Sequence, residues 1–125
     1  MKVSNGFSLI ELLVVITITV ILMSIGMVSY TKAGQTTRNG KRQQDLETLR
    51  QALVLYRVNE GQYPETDDFS TMMGELRSGG YLKIDEVKDP KNEEPYVYTY
   101  TGSARSFEVC AKTEPDEEVV CRASP

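Results

Sequence analysis

Three places in this 125-residue chain hold residues whose type and spacing could do chemistry. The first is Gly6-Phe7-Ser8-Leu9-Ile10-Glu11, in which a small residue precedes an aromatic one and an acid follows four positions later. Behind Glu11 lie twenty residues, Leu12 to Thr31, without a formal charge. An ionised carboxylate inside an apolar span costs about 2.5 kcal/mol or more unless it is paired. A mere anchor has no need of Glu11, so the acid asks for a cationic partner; the bland alternative is a single-pass anchor carrying a stray acid. The second place is the cysteine pair, Cys110 and Cys121. The third is Asp116-Glu117-Glu118, an oxygen-rich run of the kind that suits calcium, although its spacing matches no EF-hand loop and three adjacent acids also read as a solvated loop. The chain has no His. A histidine base, a Ser-His-Asp triad and a histidine metal ligand are thereby excluded, and no pair of carboxylates stands apart from the general acidity. Nothing here carries an enzyme.

An isolated cysteine pair in a small exported domain is more often a disulfide than a metal site, which would need further ligands. A bridge across the Thr113-Glu114-Pro115-Asp116 turn would contribute about 3 kcal/mol. Two free thiols in a reducing compartment is the other reading.

The elements that must position these residues follow from the hydropathy pattern. At about 1.5 Å of rise per residue the Leu12 to Thr31 run covers the roughly 30 Å hydrocarbon core of a bilayer. A short polar leader, Met1 to Asn5, precedes it, and the small residue Gly6 comes before the apolar run, whereas an ordinary secretory signal puts its cleavage site after it. Cutting after Gly6 would keep the apolar helix and give it a new amino terminus at Phe7. No Pro occurs before Pro64, so the helix can continue past Thr31, with Gly26 and Gly34 as points where it can bend. Leu46, Leu49, Leu53 and Tyr56, with Ala52 beside them, recur at helical spacing and predict an amphipathic half that stops near Asn59-Glu60-Gly61. Thr66-Asp67-Asp68 offers caps for a short second helix bearing Phe69, Met72, Met73 and Leu76, ended by Ser78-Gly79-Gly80. Tyr81-Leu82-Lys83 reads as the start of an extended segment, and Asp89-Pro90-Lys91-Asn92 as a turn. Strands are expected at Tyr96 to Tyr100, Ser106 to Ala111 and Val119 to Arg122, forming an antiparallel meander covered by the Leu46 to Tyr56 stripe.

Charge is unevenly spread along the chain, whose net charge is −4. From Thr31 to Arg57 six bases face two acids, whereas from Val58 to Pro125 fifteen acids face seven bases. The sequence is thus a dipole, basic beside the apolar run and acidic at its far end. By the positive-inside rule these bases favour an inside carboxyl end. Without interleaved aromatics the basic strip fits lipid headgroups or acidic surfaces of other subunits better than nucleic acid, which is an unlikely partner.

The Gly6-Phe7 junction, Glu11 and the retained apolar run together resemble the prepilin signal of type IV pilins and type II secretion pseudopilins. The runs Tyr56-Arg57-Val58-Asn59-Glu60-Gly61-Gln62-Tyr63-Pro64, Gly79-Gly80-Tyr81-Leu82, Asp89-Pro90 and Pro95-Tyr96-Val97-Tyr98 are similar to the order of signatures in the major pseudopilin of type II secretion. The resemblance implies a prepilin peptidase that cleaves after Gly6 and methylates the Phe7 amine, and a charge-assisted bond from Glu11 to the Phe7 ammonium of a neighbouring subunit. It implies a homopolymer, built with an inner-membrane assembly platform and minor pilins. The implied topology is a cytoplasmic leader and an extracytoplasmic carboxyl-terminal domain, the reverse of the charge rule and in agreement with a disulfide. Within the resemblance the carboxyl end is mixed: an acidic calcium loop belongs to major pseudopilins, a disulfide to type IV pilins. The expectations are an α+β subunit with a leader at 1–6, a transmembrane and polymerisation helix at 7–31 and a globular domain at 32–125. No cofactor is expected beyond calcium at Asp116, Glu117 and Glu118. The function implied is a filament subunit, with a non-polymerising single-pass binding module as the alternative class.

Overall fold

The computed structural model describes residues 6–83 and 87–125; the expected leader residues Met1 to Asn5 lie outside them. The elements in order are α1 (Leu9–Glu60), α2 (Phe69–Ser78), β1 (Thr99–Gly102), β2 (Phe107–Lys112) and β3 (Val119–Ala123). The fold is α+β, and the chain divides between Gly34 and Gln35 into two compact units, to both of which α1 contributes.

In the first unit α1 is long and apolar enough to cross a membrane, and its most apolar window is wholly exposed. The polar residues within the run cost it little. Thr17, Thr19, Ser24 and Thr31 each donate their hydroxyl to a carbonyl three or four residues back, so these four donors are satisfied within the helix. Gly26 and Gly34 do not interrupt the helix. Its end is where the sequence puts it: Gly61 takes a left-handed φ of 85° and donates to the Arg57 carbonyl at 2.8 Å, a geometry that favours glycine.

The second unit is built on the amphipathic half of α1. Leu46, Leu49, Ala52 and Leu53 are buried against Met72, Met73 and Leu76 of α2 and against Tyr63, Leu82, Val87, Tyr98, Tyr100, Phe107, Val109 and Ala111. Tyr56 is only half-buried, because its hydroxyl reaches out to Glu75 at 3.0 Å. Asp68 caps α2 by accepting from the Thr71 N–H at 2.8 Å, which satisfies one of the four donors a helix start leaves open. The antiparallel sheet has the order β1-β2-β3. Phe107, Val109 and Ala111 of β2 face the core while Glu108, Cys110 and Lys112 face away, the period of two that a half-buried strand requires.

One strand expectation is corrected. The first strand begins at Thr99, not at Tyr96, because the backbone N–H groups of Tyr96 and Val97 are already used locally, donating to the carbonyls of Glu93 and Pro95. A donor spent in a turn cannot join a ladder. The expected single face of three tyrosines is split accordingly: Tyr98 and Tyr100 enter the core, while Tyr96 lies under two cations. At Tyr81-Leu82-Lys83, expected to start an extended segment, the N–H groups of Tyr81 and Leu82 both close back on the Leu76 carbonyl, and the residues that follow, 84–86, lie outside the described ones.

Candidate functional site

At the amino-terminal end Gly6 and Phe7 precede α1, and the Phe7 side chain is 84% exposed. Ser8 begins the helix as its cap. The Glu11 carboxylate accepts from the Ser8 N–H and hydroxyl, each at 2.9 Å, and the Glu11 N–H donates to the Ser8 hydroxyl oxygen at 3.2 Å. This reciprocal pair is a capping box. Glu11 is therefore satisfied by hydrogen bonds within its own chain, and among the described residues it has no counter-ion. Around it every large apolar side chain from Leu9 to Val28 stands exposed, a surface that demands lipid or other protein.

The second unit carries a cluster absent from the sequence reading. Arg42 is fully buried and forks onto Asp89, with Nε to Oδ2 and Nη2 to Oδ1 at 2.9 Å, while its Nη1 lies 2.9 Å from Oε1 of Glu114. Glu114 accepts from Arg38 at 2.8 and 2.6 Å and lies 3.3 Å from Nζ of Lys91. Asn39 meets the main chain of Glu114 in both directions, donating at 2.7 Å and accepting at 3.0 Å. The Tyr96 ring packs against the Arg42 guanidinium and the Lys91 ammonium, at 5.0 and 4.5 Å from its centroid. One turn of α1 thus holds both the Asp89-Pro90 turn and the β2–β3 turn. Hydrogen bonds from Arg38 hold the Glu114 carboxyl down at about 2 against burial, with Arg42 and Lys91 assisting. Burial opposes the charge on Asp89, yet hydrogen bonds from Arg42 and from the Lys91 N–H keep its carboxyl below the ordinary value. Arg42 is raised in turn, chiefly by Asp89.

A signal for this cluster was present. Read backwards, the buried stripe Leu53, Leu49, Leu46 arrives at position 42, so Arg42 occupies a core position and needs an acid from elsewhere in the chain.

Of the sequence-predicted residues, Cys110 and Cys121 are joined as a disulfide and stand opposite each other in the β2–β3 register, on the sheet face turned away from the core. Asp116, Glu117 and Glu118 are exposed. They do not converge with other ligand atoms. Among the described residues the one such group is Glu108 with Cys110 and Cys121, whose sulfurs are bonded to each other. The basic strip is largely neutralised within the chain: Arg38 and Arg42 by Glu114 and Asp89, Lys41 by Asp45, and Arg50 by Glu47.

Two family models match. Residues 1–27 fit the prokaryotic N-terminal methylation motif, and residues 29–119 fit type II secretion system (T2SS), protein G. No curated protein and no solved structure matches the chain. A methylation motif leading an exposed apolar helix, followed by an amphipathic helix packed on a small antiparallel sheet, places this chain in the type II secretion protein G family of pseudopilins.

Proposed function

We propose that the chain is a structural subunit of a type II secretion pseudopilus, cleaved after Gly6 by a prepilin peptidase and polymerised through its amino-terminal helix. The observation that carries this reading is the wholly exposed apolar stretch of α1 with a single acid, Glu11, one turn from the Gly6-Phe7 junction. Lipid covers this surface before assembly. Neighbouring helices replace the lipid afterwards, so one apolar face serves both states. In the assembled fibre Glu11 exchanges its Ser8 partner for the Phe7 ammonium of the next subunit, gaining a charge-assisted bond that offsets burial and sets the axial register. The carboxyl-terminal unit then lies outside the cytoplasm, where a Cys110–Cys121 bridge persists. Partners in this reading are further copies of the chain, minor pilins, the peptidase and an inner-membrane assembly platform.

A second reading, a type IV pilin for adhesion, motility or DNA uptake, draws on the same helix and is favoured by the disulfide at the carboxyl end. Intact-mass analysis of protein from purified filaments tests what both share. The expected species begins at Phe7 with one added methyl group; filaments built of chains that retain Met1 to Gly6 would overturn the proposal.

A further inference from the structure

We propose that the β2–β3 turn is closed by the chain's own guanidinium groups, with Arg42 as the central cation, and that it takes no calcium ion. The inference concerns the cohesion of the carboxyl-terminal unit and stands whether or not the chain polymerises. It departs from the calcium loop that the family resemblance implies, and it rests on how the donors of this chain are disposed.

Calcium takes six to eight oxygens at about 2.3–2.6 Å, several of them carboxylate. The acids available to the turn do not supply such a shell. Asp116, Glu117 and Glu118 point away into solvent, and Glu117 lies 3.8 Å from Nζ of Lys112. The turn is instead drawn shut by Thr113, whose N–H and hydroxyl both donate to the Glu118 carbonyl at 2.9 and 3.1 Å. A main-chain oxygen that an ion would use is thereby occupied.

The one carboxylate of the turn that is buried, Glu114, faces inward and is already saturated. Arg38, Arg42 and Lys91 approach its two oxygens, and Asn39 takes its main-chain N–H and carbonyl. Asp89 is likewise filled, by the Arg42 fork and by the N–H of Lys91 at 2.9 Å. Three cations therefore face two carboxylates. An incoming dication would meet net positive charge, and taking Asp89 or Glu114 away from Arg42 would strand a guanidinium that has no route to water. A planar fork offering several fixed donors matches two carboxylates from different turns better than a point charge does. Arg42 thus does for these two turns what a bound ion does in a metal-closed loop, and it does so without a dissociation equilibrium.

The test uses the full-length chain in detergent micelles, as the native protein and as Cys110→Ser/Cys121→Ser, so that the covalent bridge cannot mask an effect at the turn. Melting temperatures are compared in millimolar calcium, in millimolar magnesium and in chelator. Each protein is expected to keep its own melting temperature unchanged across all three conditions, and Arg42→Gln to melt lower by the same amount in each. Arg38→Gln, which leaves Arg42 and Lys91 in place, keeps the experiment readable if Arg42→Gln does not fold. Its β2–β3 turn should be cut several-fold faster by protease, with calcium giving no protection. A calcium-specific rise of several degrees in either wild-type or bridge-free protein, lost in Asp116→Ala, would overturn the proposal. So would calcium protection of the turn in Arg38→Gln.

Discussion

Arg42 and Asp89 are both removed from water, so each makes the other tolerable, and removing one leaves an uncompensated buried charge. Arg42→Met should lower the stability of the carboxyl-terminal unit by about 3–5 kcal/mol, measured by chemical denaturation of the micelle-embedded chain. Arg38→Ala should cost much less, because Arg38 is partly exposed and Glu114 retains Arg42 and Lys91. The double variant Arg42→Met/Asp89→Leu should recover part of the loss, since it replaces the ion pair by apolar groups; full additivity of the two single losses would show that the pair is not coupled. The same cluster sets an acid limit. Glu114 titrates at about 2 when folded against an ordinary 4.5, and Asp89 is lowered in the same direction. A depressed folded value contributes stability that is complete above the unfolded value and is lost as pH falls through the folded one. Melting temperature should therefore drop as pH falls from about 4.5 toward 2, and Glu114→Gln should start lower at neutral pH and fall less over that window. Sequence alone singled out Glu11, by its place beside the apolar run, and the cysteines, which are bridged. It hid the partners of Arg42, which lie 47 residues away at Asp89 and farther still at Glu114.

Helices and strands differed in how plainly they could be read, for a physical reason. The start of α2 and the ends of both helices rest on residues within one turn: Gly61 before Pro64, Asp68 ahead of Thr71, and Gly79-Gly80 after Ser78. Local capping chemistry decides such boundaries. The start of β1 is decided by what else competes for the same backbone. Tyr96 and Val97 have strand composition, but the pull of Asp89 and Tyr96 toward Arg42 bends that stretch into a turn. The β2–β3 pair was legible because its two cysteines fix the register. Their bridge closes a loop with a sequence separation of 11, and by constraining the unfolded chain it should contribute about 3 kcal/mol. Cys110→Ser/Cys121→Ser should lower the melting temperature while circular dichroism shows nearly unchanged helix content, since neither helix touches the bridge in sequence. Thiol labelling of both cysteines in the native protein without reductant would refute the bridge.

At the scale of the whole chain folding weakens the linear charge dipole, because Asp89 and Glu114 from the acidic part return to the bases of the amphipathic helix. What does survive is the contrast between an apolar surface with one acid and a unit whose described buried side-chain polar atoms all have partners. In the proposed filament that contrast singles out Glu11 as the residue on which assembly would turn. Its carboxylate is held by Ser8 in the single chain, so removing it should disturb insertion little. Glu11→Val should enter the membrane at least as well as wild type, being rid of a costly acid, yet should assemble poorly for want of the Phe7 ammonium bond. A lost helix cap could produce the same defect, and Glu11→Gln separates the two causes. Glutamine serves in a capping box as glutamate does, but it carries no charge to pair. If the defect comes from the cap, Glu11→Gln restores filaments; if it comes from charge pairing between subunits, Glu11→Gln fails as Glu11→Val does. We expect the second outcome, read as sheared filament yield at equal membrane level of each variant. Wild-type yield from Glu11→Val would deny Glu11 any part in assembly.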